Sequence, residues 1–307
     1  MTRRTWLAMA GAGLASGAAG GYPVLIFSKH LHWTKDYREM AQVARDLGFD
    51  GIDLTVRPGG HVEPERVAED LPKAVEAARA AGLIVPMITS GIVDASTPHA
   101  EVVLKTASAL GIRDYRWGGF RFTPDGSITK ELDALQPKVA ALEQLNDRYG
   151  MSAMYHTHSG PNQVGAAFWD LWLLLRDRNP RRVGVNFDIG HATIEGGYGD
   201  WVTSLRLLAP FVRGTAVKDF RWERNASGAW RPRWCPIGEG MVDFPLYFRM
   251  LRAVGFRGPL QLHYEYPELG GADGGRKQLT APKDLVLAAM RRDLEAVRGL
   301  LVKSGLG

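Results

Sequence analysis

One cysteine, Cys235, is all that the 307 residues contain, which excludes an intrachain disulfide and a thiolate metal cluster. No run of lysine or arginine is long enough to form a phosphate-binding stripe, and a formal charge of +5 is too mild to imply a nucleic-acid partner. The glycine-rich phosphate loop that opens most dinucleotide-binding sheets is missing as well. In its place the first apolar run is followed by Ser28-Lys29-His30-Leu31-His32, so no nucleotide cofactor is expected. The apolar stretch Leu7 to Ala19 is too short to span a bilayer. It follows Thr2-Arg3-Arg4-Thr5-Trp6, and the segment resembles a twin-arginine export signal. Residues 1–20 are therefore expected to be removed and residues 21–307 to be periplasmic, with no stable membrane insertion after cleavage.

What the chain does have is a repeating unit. Apolar runs rich in β-branched and aromatic residues alternate with amphipathic stretches that end at glycine. Strands are expected at 24–27, 51–56, 83–89, 114–118, 152–157, 183–188, 212–218 and 259–265, and helices at 36–47, 64–81, 100–110 and 132–149 among others. Eight such units close a barrel, so the expected fold class is α/β, a single (β/α)8 TIM barrel of one domain.

Four of the later runs end in charged or imidazole groups: Met154-Tyr155-His156-Thr157-His158, Asn186-Phe187-Asp188-Ile189-Gly190-His191, Val217-Lys218-Asp219 and Leu262-His263-Tyr264-Glu265. In a barrel these would meet at the carboxyl-end rim, where (β/α)8 proteins keep their chemistry. Lys29 and His30 follow the first strand, and Arg57 and His61 follow the second, so they are candidate substrate contacts at the same rim. So are His158, His191 and Trp222. Arg57 suits a carboxylate, a phosphate or a ring hydroxyl. Arg116 and Trp117 alternate faces, and only one of them can point inward. The segment from Arg221 to Gly240, with Trp222, Trp230 and Trp234, is expected to be a long loop acting as a lid or specificity element.

Phe187-Asp188-Ile189-Gly190-His191 and Lys218-Asp219 resemble the Asp-x-x-His and His-x-Lys-Asp motifs of the xylose isomerase-like TIM barrels, a family of sugar phosphate isomerases, sugar epimerases and endonuclease IV. The resemblance covers about the whole mature chain. It implies a divalent metal held by a glutamate, an aspartate, a histidine and a glutamate on the last four strands, with the glutamates doubling as acid and base. Here those places read His156, Asp188, Ala216 and His263, with Glu265 two residues further along the same face. His156, Asp188, His263 and Glu265 are the expected metal ligands, for Mn, Co, Zn or Mg. His156 and Glu265 are the expected proton-transfer pair, with Lys218 beside the developing negative charge. The activity implied is that of a sugar isomerase or epimerase working through an enediolate. Two alternatives stay open: a lyase on 3-keto-glycosides that shares the first step, and a non-catalytic exported sugar-binding protein. The expected partner is a small-molecule carbohydrate, and a homo-oligomer is compatible with the sequence.

Overall fold

The computed structural model describes residues 22–307, so the expected signal segment lies outside the described residues. Ten strands are present among the described residues: β1 Val24–Phe27, β2 Gly51–Val56, β3 Ile84–Ser90, β4 Asp114–Trp117, β5 Ser152–His156, β6 Val183–Asp188, β7 Val212–Val217, β8 Asp219–Arg224, β9 Trp230–Cys235 and β10 Leu260–Leu262. All except β8 and β9 pair in parallel and close a single (β/α)8 barrel in the order β1-β10-β7-β6-β5-β4-β3-β2. Helices α1 Tyr37–Leu47, α2 Val67–Ala80, α3 Ala100–Ala109, α4 Ile128–Tyr149, α5 Trp169–Leu175, α6 Ile189–Gly196, α7 Asp200–Leu208, α8 Phe244–Ala253 and α9 Lys283–Lys303 wrap the outside. No helix among them is long and apolar enough to cross a membrane.

Successive residues of a barrel strand face alternately the helices and the lumen. The outward positions, such as Ile26, Leu54, Val185 and Val217, join the large core beneath the helices. Leu25, Met87 and Met154, from β1, β3 and β5, form a separate buried cluster that plugs the lumen. On β7 the corresponding position is Gly214, where a Cβ would come within 2.8 Å of the Met154 sulfur. This packed floor closes the lumen beneath the carboxyl ends of the strands.

Two departures from the sequence expectation matter for that site. The strand expected at 259–265 stops at Leu262, so His263, Tyr264 and Glu265 leave the ladder and can fan out over the mouth. The segment expected as a loop from Arg221 is instead the antiparallel ribbon β8–β9, with Phe220 opposite Trp234 and Trp222 opposite Pro232. Asp219 anchors its base. Its carboxylate accepts hydrogen bonds from the backbone N–H groups of Phe220, Gly238, Gly240 and Val242, at 2.9 to 3.2 Å.

Candidate active site

The inward residues at the top of β5, β6 and β7 and just after β10 converge around one ammonium group. Lys218 is buried, and its Nζ donates to Glu265 Oε2 at 2.9 Å and to His191 Nε2 at 2.8 Å, and lies 3.2 Å from Asp188 Oδ2. Because that bond uses His191 Nε2 as an acceptor, the ring proton sits on Nδ1 and is donated to Ser159 Oγ at 2.8 Å. The ammonium also lies 4.2 Å from the centre of the Trp234 ring, a cation–π contact. Its stem passes Gly190, where a Cβ would stand 2.9 Å from Lys218 Cγ and 3.0 Å from Trp234, so only glycine fits there.

Asp188 ends β6 and caps α6, accepting from the His191 backbone N–H. Burial pushes its carboxyl up to about 6, against the pull of Lys218. His156 Nε2 is 3.4 Å from Asp188 Oδ2, while its Nδ1 faces the Asn186 amide, which donates on to Gln261 Oε1. Burial also works to raise Glu265, but Lys218 and Lys29 outweigh it and hold the carboxyl well below the ordinary range. Lys29 Nζ supplies the second ion pair at 3.3 Å.

His263 stands apart from these paired groups. It is buried, it stacks on Phe27 with ring centres 4.7 Å apart, and neither ring nitrogen has a hydrogen-bond partner. Burial and the nearby Lys218 charge lower its pKa well below the usual imidazole value, so the ring is neutral at pH 7. Burial, with Arg116 and His158 behind it, does the same to His156. One ligand atom each from His156, Asp188 and His263 fall within 4.8 Å of one another, and so do those from His156, His158 and His191.

Several residues singled out in the sequence are placed differently from one another. His158 Nε2 accepts from the Arg116 guanidinium at 3.1 Å, and burial takes its pKa down to about 3. Arg116, left undecided by strand alternation, is the inward member of its pair, whereas Trp117 packs in the outer core. His30 is fully buried with both nitrogens engaged: Nδ1 donates to the Ala272 carbonyl, and Nε2 accepts from the Tyr264 backbone N–H. It clamps the loop after β10 and has no ring nitrogen left for a ligand. His61 Nδ1 meets Thr55 Oγ1 at 3.0 Å, and its Nε2 is buried without a partner. Arg57 reaches toward the mouth over Phe27. Trp222 is exposed and packs edge-on against Phe220, whereas Trp234 covers Lys218 and His191. Ribbon register was the signal that separates the two tryptophans, and it could not be read without knowing that the ribbon exists.

Residues 41–290 match the family model described as the xylose isomerase-like TIM barrel. No curated protein matches the chain in sequence. Among solved structures, the 3-keto-D-glucoside 4-epimerase from E. coli superposes with a TM-score of 0.63 at 15% identity, over 89% of this chain and 99% of that one. A D-tagatose 3-epimerase-like protein gives 0.66 at 14% identity, over 92% and 98%. A xylose isomerase-like TIM barrel protein from Mycobacterium smegmatis in complex with magnesium gives 0.61 at 15% identity, over 91% and 98%.

Proposed function

Because the chain belongs to the xylose isomerase-like TIM barrel family, we propose that it is a sugar isomerase or epimerase that removes a proton beside a carbonyl and passes through an enediolate. The observation that carries this reading is His263. A buried imidazole with both nitrogens unpaired costs stability in the resting protein, and it stands where Lys218, Asp188 and Glu265 converge. Groups held unpaired at such a cost are the ones a ligand completes.

The same unpaired atoms fit a divalent metal. His156, Asp188 and His263 would hold it, and bound there it would polarise the sugar carbonyl. Two imidazoles and one carboxylate suit zinc, manganese or cobalt better than magnesium, which favours oxygen ligands. Glu265, ionised at the mouth, takes the proton and in an isomerisation returns it to the neighbouring carbon on the same face, whereas an epimerisation needs a second acid on the opposite face. Lys218 shares its ammonium between Glu265 and the oxygen on which negative charge develops. As the ammonium turns to that oxygen it releases Glu265, whose basicity then rises toward that of an ordinary carboxylate. Trp234, resting on Lys218, offers an apolar face for a sugar ring. The periplasmic location belongs to the same proposal and is supported by Arg3, Arg4 and the short apolar stretch after them.

The test is deuterium uptake from solvent at the carbon next to the carbonyl, followed by NMR over a panel of ketoses and 3-keto-glycosides with zinc, manganese or cobalt added. Wild type is expected to exchange and Glu265→Gln to bind without exchanging. Sugar binding by the wild type with no exchange on any member would support the non-catalytic binding protein instead. Metal content after dialysis is a separate readout: Asp188→Ala and His263→Ala are expected to lose the stoichiometric metal that wild type keeps.

A further inference from the structure

Around Phe27 the mouth holds more positive charge than the residues described so far account for. Lys29 Nζ, the Arg57 guanidinium and the Arg116 guanidinium lie 5.5, 5.6 and 5.5 Å from the centre of its ring. Lys29 has Glu265 as a partner, but the two arginines are differently placed. Among the described residues the Arg57 side chain makes no hydrogen bond or ion pair, and the Arg116 side chain makes only its bond to neutral His158. The carboxylate beneath them, Asp53, is fully buried and takes both its hydrogen bonds from the Thr89 hydroxyl. Two planar forks with unused donors thus face one opening, backed by an aromatic ring.

We propose that the substrate carries a carboxylate, and that Arg57 and Arg116 bind it over the Phe27 ring while the carbonyl end of the molecule reaches Lys218 and Glu265. The proposal rests on the sugar isomerase or epimerase reading above and narrows its substrate class to acidic sugars such as uronates.

The two guanidinium groups over one aromatic ring point to a small planar anion. Lys29 and Lys218 are paired with Glu265, and Lys218 with Asp188 as well, whereas Arg57 and Arg116 have no carboxylate within ion-pair distance among the described residues. Arg57 and Arg116 repel each other, and burial together with that repulsion takes Arg116 down to about 10. A carboxylate held between the two guanidinium groups relieves that repulsion. Two guanidinium forks also match the two oxygens of a carboxylate in the bidentate manner that arginine favours.

Equilibrium binding by calorimetry tests this without requiring turnover. D-glucuronate, D-galacturonate and D-mannuronate are each compared at pH 7 with the neutral aldose of the same configuration. One charge-assisted pair corresponds to about 10- to 100-fold in affinity, so at least one acid should exceed its neutral partner by that factor. In Arg57→Gln and in Arg116→Gln, with folding verified by thermal melts, the acid-over-neutral ratio should fall toward one, and Arg116→Lys should restore part of it. If no pair shows a preference in wild type, or if the glutamine variants keep it, the proposal is overturned. Hexose 6-phosphates binding more tightly than every uronate would overturn the choice of carboxylate. Uronate binding that depends on both arginines, with no deuterium exchange on any substrate, would leave this subsite standing while removing the isomerase reading.

Discussion

Lys218→Met takes away the ammonium that three site residues share while keeping most of the aliphatic stem that passes Gly190 and Trp234. At roughly 3 Å and an effective dielectric near 20, each contact to a carboxylate is worth about 5 kcal/mol of Coulomb attraction before desolvation. The variant leaves Asp188, fully buried, and Glu265, whose side chain is 22% exposed, facing each other without that cation. Removing one member of a buried ion pair costs about 3–5 kcal/mol, and that is the loss expected at pH 7. Urea unfolding of the variant and wild type across pH 5 to 8 measures it.

The sign of the pH dependence makes the test sharper. Without Lys218, the carboxyls of Asp188 and Glu265 both titrate at higher pH in the folded protein, whereas their unfolded values stay put. A carboxyl with a raised folded pKa contributes stability below its unfolded value and loses it as pH rises through the folded one. The variant's deficit should therefore grow toward pH 8 and shrink toward pH 5 as the two groups take up protons. A loss below about 1 kcal/mol that is flat over this range would mean that the cluster is solvated like surface charge, and the electrostatic argument would fail.

Asp219→Ala leaves four backbone N–H groups at the base of the β8–β9 ribbon without their acceptor, and about 2–4 kcal/mol should be lost in urea unfolding; a change under about 0.5 kcal/mol would show that water replaces the carboxylate freely. Burial pushes Asp53 up to about 6 from 3.8, so ionising it at neutral pH costs up to about 3 kcal/mol. Asp53→Asn should accordingly be more stable than wild type at pH 7, with the gain vanishing below pH 4, and a gain that persists in acid would contradict the assignment. Gly190→Ala should push the Lys218 stem and Trp234 apart, lowering stability by about 1–3 kcal/mol and slowing proton exchange more than it weakens sugar binding; wild-type exchange in this variant would show that the close packing is not needed.

The barrel was legible because a parallel strand buried on both faces has to be largely apolar, and Val24 to Phe27 satisfies that without tertiary information. The convergence of the candidate residues was legible for a related reason. His156, Asp188, Lys218, His263 and Glu265 break those runs at their carboxyl ends, and a closed barrel has only one rim there. What sequence did not show depends on contacts between distant segments. His30 looks like the other rim histidines, but Ala272 and Tyr264, more than 230 residues away, occupy both its nitrogens. Arg116 became readable only when register fixed which face of β4 turns inward.

Ala216 illustrates how a missing ligand and a present cation can be one feature. It is the register partner of Asp188 on the neighbouring strand, and Lys218, two residues on, shares its face of the chain. A histidine at 216, as the family resemblance implies, would stand beside the carboxylate that Lys218 Nζ approaches at 3.2 Å. With only a methyl group there, the ammonium can reach down to Asp188 while still holding Glu265 and His191. For the proposed enediolate, a positive charge is thereby built into the chain itself. Any metal held by His156, Asp188 and His263 would add to a field that Lys218 has already established.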